Sequence, residues 1–154
     1  MIRAFRAFGQ SFRRDRCGAV VIETAFIAPV LALLGLGAFQ VSEAVARQHE
    51  LQTGADDAAA MALAGWSDSS AQKTALKSVL KATLNLTDAQ ITITNKYRCG
   101  TAAVYVNVKT DCANGSIVTT YLRIVLTDTY TPSWVDFGMG NPINYNVTRT
   151  VVLS

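Results

Sequence analysis

Histidine is nearly absent from this chain: His49 is the single one among 154 residues. Cysteine and proline occur three times each. This scarcity removes most catalytic and metal-binding chemistry. No His/Cys cluster has zinc-ligand spacing, no glycine-rich phosphate loop is present, and no nucleophile motif appears. Asp56 and Asp57 adjoin on a helical stretch, so their side chains diverge and make a poor calcium site. His49, with Glu50 beside it, reads as a solvent-facing helix residue. The sequence therefore predicts a non-enzyme without metal or cofactor.

Charge is also scarce, at 16% of residues, and it is unevenly spread. Arg3, Arg6, Arg13, Arg14 and Arg16 against Asp15 give residues 1–18 a local +4, which leaves −1 of the formal +3 for everything after them. A near-neutral remainder has no electrostatic footprint for nucleic acid. The basic character belongs to the N-terminal leader alone. Within residues 1–12, Ile2, Phe5, Phe8 and Phe12 alternate with Arg3 and Arg6, a pattern that fits either a short amphipathic helix or disorder.

What the sequence has in quantity is apolar length. Ala19 to Phe39 is 21 residues with one charge, Glu23. At ~1.5 Å per helical residue this run covers the ~30 Å hydrocarbon core of a bilayer. The arginine cluster before it predicts a cytoplasmic N-terminus by the positive-inside rule. Pro29 lies inside the run and removes one backbone hydrogen bond. Gly35 and Gly37 give either a thin helix-packing surface or merely membrane-like composition.

Helical periodicity continues past the membrane length. Val41, Val45, Leu51, Ala55, Ala58 and Met61 or Ala62 recur at helical steps, Glu43 and Arg47 form an i,i+4 pair, and Gly54 weakens the middle by ~1 kcal/mol. Gly65 to Ser70 reads as a stop and turn. Ser70 then caps a second helix to Leu84, with Leu76, Val79, Leu80 and Leu84 on one face and Lys73, Lys77 and Lys81 on a solvated one.

After Asn85 the period changes to two. Ile91–Tyr97, Val104–Val108, Val118–Thr127 and Ile143–Leu153 read as strands, with a turn-rich loop over Thr131–Pro142. The expected fold is α+β: a long N-terminal membrane-spanning helix continuing into an outer helical rod, packed on a small antiparallel sheet. The expected organisation is a leader over 1–18, a transmembrane helix over 19–40 and an extracytoplasmic domain over 41–154. Cys99 and Cys112 pose a conflict. A straight strand between them would hold them ~30 Å or more apart, whereas a disulfide needs Cα atoms within ~7 Å. The two are compatible if residues 100–111 make a bent excursion while Ile91–Arg98 pairs with Val118–Tyr130.

Glu23 is the one residue whose placement costs energy, being a carboxylate ~6 Å along a membrane helix from Ala19. Either it reaches the interface, helped by the helix dipole, or it neutralises a charge supplied by another subunit. The second reading requires cleavage after Gly18, which leaves an α-ammonium on Ala19.

The basic leader, Gly18, then Ala19 and Glu23 as first and fifth mature residues, resembles the processing site of prepilins. With Pro29, the stretch Leu51 to Ala60, Tyr130-Thr131-Pro132 and the terminal strand Tyr145 to Val151, the chain resembles TadE-like pseudopilins of the tight-adherence (Flp-type IVb) pilus system. One departure is Thr24, where that family's mature signal carries an aromatic residue. The length exceeds that of a short major Flp pilin, so a minor pseudopilin is the better match. The resemblance implies cleavage by a prepilin peptidase, with other pseudopilins or pilin subunits, membrane lipid and an inner-membrane assembly platform as partners. It also implies a single-pass protein of the inner membrane with a periplasmic C-terminal domain, serving adhesion and biofilm formation. Two alternatives stay open: a secreted protein whose signal peptide is cut after Ala46, behind Ala44-Val45-Ala46, or an uncleaved bitopic protein with a binding domain outside.

Overall fold

The computed structural model describes residues 17–65 and 69–153, with side chains from Val20 onward. The expected amphipathic leader, Arg13, Arg14 and Arg16, and the turn residues Trp66, Ser67 and Asp68 lie outside the described residues. The elements in order are α1 (Cys17–Gly65), α2 (Ser70–Leu84), β1 (Ile91–Cys99), β2 (Val118–Tyr130) and β3 (Ile143–Val152). Contacts divide the chain into two units, one ending at Ser42 and the other beginning at Glu43.

In the first unit α1 is apolar on every side. Val20, Ile22, Phe26, Val30, Leu33, Leu36 and Phe39 point outward around the whole circumference, and all of them are exposed. A helix hydrophobic all round belongs in a core or a membrane. The most apolar 18-residue window here is 0% buried within the chain. The helix is long and apolar enough to cross a membrane. Pro29 is accommodated without ending it.

The second unit is an α+β sandwich of helices on one face of a three-stranded antiparallel meander, order β1-β2-β3. Register decides which side chains face the helices. Ile91 lies opposite Leu126, Ile93 opposite Ile124, and Leu126 opposite Val147. Leu122, Ile124 and Leu126 are fully buried on that face. Against them pack Leu51, Ala55, Ala58 and Ala62 of α1 and Leu76, Leu80 and Leu84 of α2. The opposite face carries Thr92, Thr94, Arg123, Asn144, Asn146, Thr148 and Thr150, all exposed. This is the alternation of a sheet with one wet side.

Several expectations change. The buried stripe of α1 is narrower than its apolar content, because Val41, Val45 and Met61 remain exposed. On α2 the i,i+4 line Leu76-Leu80-Leu84 turns inward and Val79 turns out. The cap of α2 is Ser69, not Ser70: the Ser69 hydroxyl accepts from the Gln72 backbone N–H at 3.2 Å. At the end of α1, Gln72 Nε2 donates to the Gly65 carbonyl at 3.0 Å, satisfying one terminal acceptor.

Val104–Val108 is not a strand. Only Val106 reaches β1, through an isolated bridge to Tyr97 with paired bonds of 2.9 and 2.8 Å. The reason is covalent. Cys99 and Cys112 are disulfide-bonded with Cα atoms 5.4 Å apart, so the chain between them must double back. The ring of Tyr105 in this excursion meets the edge of Tyr121 at 5.0 Å, covering part of the sheet's outer face.

Gly54 of α1 packs against Leu84 at the end of α2. A Cβ there would stand 2.7 and 2.8 Å from the two terminal methyls of Leu84, which is itself buried. Gly54→Val should therefore overpack the core and destabilise the full chain in mild detergent by about 1–3 kcal/mol. Leu84→Ala, which alone should cost about 2–5 kcal/mol, should recover part of that loss in the double variant. Denaturant titration of all four chains, followed by near-ultraviolet circular dichroism, measures the coupling.

Candidate functional site

Two arrangements on α1 bear on function, one in each unit. The first begins the helix. Gly18 and Ala19 lie in its first turn, and Glu23 follows Ala19 by four residues, one turn and ~6 Å further on. Glu23 is exposed and pairs with none of the described residues. Thr24, where an aromatic residue was the pattern, donates its hydroxyl to the Val20 carbonyl at 2.8 Å. That bond hides the polar group within the helix, so an apolar surround accepts it.

The second arrangement was not visible as a motif. Arg47 does not pair with Glu43. Its Nε donates to Asp128 Oδ2 at 2.7 Å, one terminal nitrogen donates to Glu50 Oε2 at 2.7 Å, and the other donates to the Leu84 carbonyl at 2.9 Å. Leu84 ends α2, and the next residue, Asn85, turns into the left-handed region. The guanidinium thus sits at the negative end of that helix. Asp128 also accepts from Gln90 Nε2 at 2.8 Å and from the Thr129 backbone N–H at 2.9 Å. Burial works against the Arg47 charge, but the hydrogen bonds to Glu50 and Asp128 outweigh it and raise its pKa.

Glu43 is engaged elsewhere. Tyr130 donates its hydroxyl to Glu43 Oε2 at 2.9 Å, and Tyr145 donates to the Ala44 carbonyl at 2.8 Å. Burial, with Asp128 nearby, pushes the Tyr145 phenol upward, so it stays a donor at neutral pH. Further along, Arg149 grips Asp56 with two nitrogens at 2.5 and 2.9 Å. The lysine row of α2 is not wholly free either. Lys81 reaches Asp88 at 2.9 Å and holds that carboxyl below its usual range. His49 is exposed. Among the described residues no group of three His, Cys, Asp or Glu is placed to hold a metal.

One signal could have exposed this clasp. Asp128 shares its face with Leu122, Ile124 and Leu126 by period two, and an acid on a core-facing row demands a partner. The identity of that partner, Arg47, required the fold.

Among the described residues one helix is long and apolar enough to cross a membrane, and its second half carries the small α+β unit, an arrangement that fits a single-pass membrane protein. The family model described as TadE-like protein matches residues 18–60, from Gly18 through the part of α1 that packs on the sheet. Over that segment the chain is similar to TadE-like proteins. No curated protein and no solved structure matches it.

Arg47→Ala should remove the cation from Asp128 and the donor from Leu84, lowering stability by about 1.5–3 kcal/mol. Arg47→Lys should restore little of it, because one ammonium cannot reproduce a fork directed at three acceptors. Thermal unfolding of the full chain in detergent compares the two.

Proposed function

We propose that this chain is a minor pseudopilin of the tight-adherence pilus system, cut after Gly18 by a prepilin peptidase and built into the pilus or its assembly platform through α1. In this reading residues 1–18 are the leader, 19–40 cross the inner membrane from a cytoplasmic N-terminus, and 41–154 form the periplasmic domain. The chain is a structural subunit and the cleavage chemistry belongs to the peptidase. Pilin or pseudopilin subunits are its partners.

The observation that carries the reading is the family match beginning at Gly18 on a helix whose single acid before residue 42 lies one turn beyond Ala19. A carboxylate in an apolar surround is stabilised by a charged partner. The Ala19 ammonium of a neighbouring subunit supplies one when the helices pack with a one-turn stagger. Arg13, Arg14 and Arg16 then serve insertion and leave with the leader.

A signal peptide cut after Ala46 fits less well. It would sever α1 and discard Glu43 and Ala44, which accept hydrogen bonds from Tyr130 and Tyr145. An uncleaved bitopic anchor gives Glu23 no task.

Mass measurement of the membrane-extracted protein should find a mature chain starting at Ala19. An intact leader in cells with active peptidase would refute the proposal, and a product starting at Arg47 would favour secretion. Glu23→Gln should leave membrane insertion intact while reducing recovery of the subunit with sheared pili or assembly complexes by about tenfold or more. Unchanged recovery would support the simple anchor instead.

A further inference from the structure

The connection between β2 and β3 occupies a defined end of the sheet unit. β2 runs along α1 toward lower residue numbers, meeting Arg47 at Asp128 and Glu43 at Tyr130. β3 returns the other way, meeting Ala44 at Tyr145 and Asp56 at Arg149. Residues 131–142 therefore leave and rejoin the sheet beside Glu43 and Ala44, the first residues of their unit. Glu43 follows Phe39, the end of the membrane-length run, by four residues, a rise of ~6 Å. The ends of the connection are therefore only a few residues of chain away from the membrane-length run.

The connection is built unlike a water-exposed loop. Asp136 is its only charge. Phe137 is 79% exposed and Met139 60%, while Trp134 is half-buried. These side chains are held outward by a formed turn. Pro132 is fully buried, Ser133–Phe137 make a 3-10 turn, and Gly138 closes it in the left-handed region with φ 75°. The Gly138 N–H donates to the Val135 carbonyl at 2.9 Å and the Met139 N–H to the Trp134 carbonyl at 3.1 Å. A fixed turn that presents an exposed aromatic ring and a thioether has the chemistry of an interfacial anchor. Indoles favour the headgroup level, and apolar side chains favour the boundary just below it.

We infer that the β2–β3 turn is a second membrane contact: Phe137 and Met139 enter the lipid interface of the bilayer that α1 crosses, with the Trp134 indole at headgroup depth. The inference rests on α1 crossing a bilayer and is independent of cleavage after Gly18.

The test uses the full chain with Trp66→Phe, which leaves Trp134 as the sole indole, reconstituted into phosphatidylcholine vesicles. Lipid brominated just below the headgroup should quench about half of the Trp134 emission, and lipid brominated at the chain ends should quench less. Adding Phe137→Ser and Met139→Ser should abolish most of that quenching with the far-ultraviolet circular dichroism unchanged. Retention of the protein by the vesicles through an alkaline wash reports α1 separately. A washed, retained chain with unquenched emission overturns the inference. So does quenching that survives the double substitution. Emission that shifts blue with rising protein-to-lipid ratio and ignores brominated lipid assigns the turn to a second copy of the chain, which overturns it as well.

Discussion

Arg47 joins segments that lie far apart in sequence: Glu50 within its own helix, Leu84 at the end of α2, and Asp128 near the end of β2, 81 positions away. Taking a guanidinium partly out of water disfavours its charge, and burial is the largest single influence on this one. The charge persists because its planar fork meets three acceptors at once, each bond to a charged group being worth about 1.5–3 kcal/mol net. Asp128 is satisfied in turn by Gln90 and by the Thr129 backbone. Helix, helix end, pre-strand turn and strand are therefore fixed by one shared set of hydrogen bonds. The apolar core around Leu122 and Ile124 supplies most of the driving force, but it is non-directional. The clasp specifies where along α1 the sheet sits.

The same helix obeys two rules of solvent. Before Ser42 its most apolar 18-residue window is 0% buried among the described residues. From Glu43 it has an inward line of Leu51, Ala55, Ala58 and Ala62, with Gly54 where Leu84 needs room. Small residues let α2 and the sheet approach closely, so the contact is made at short range by backbone and methyl groups. The first half has no such line and needs its partners from outside: lipid, other helices or both.

Much of this was legible. The period of 3.6 marks both helices, and the period of two marks β1, β2 and β3, because one-sided burial writes itself into the spacing of apolar residues. Three features were misread for identifiable reasons. Val104–Val108 alternates like a strand, but closure of Cys99 onto Cys112 bends the chain and leaves a single bridge at Val106. Glu43 and Arg47 have ideal spacing for a local pair worth only ~0.2–0.5 kcal/mol, so tertiary partners at Tyr130 and Asp128 outcompete it. Gly54 resembles a weak point by propensity, whereas its missing side chain is what the packing uses. In each case a long-range contact decides, and single-sequence periodicity carries no information about such contacts.

The charges of α1 can be sorted by where their partners lie. Beyond residue 42, Glu43 meets Tyr130, Arg47 meets Glu50 and Asp128, and Asp56 meets Arg149. These are all contacts within one unit of one chain, and they serve to seat the sheet. Glu23 meets none of the described residues, yet it stands in the stretch where an unpaired carboxylate is most expensive. Under the proposed function a charge kept at such a place is explained by a partner that arrives with assembly. Under the proposed cleavage the partner is the Ala19 ammonium of the next subunit. The one-turn separation of Ala19 and Glu23 then sets a stagger of ~6 Å between neighbouring helices. Arg47 would thus register the sheet on its own helix, and Glu23 would register that helix against another.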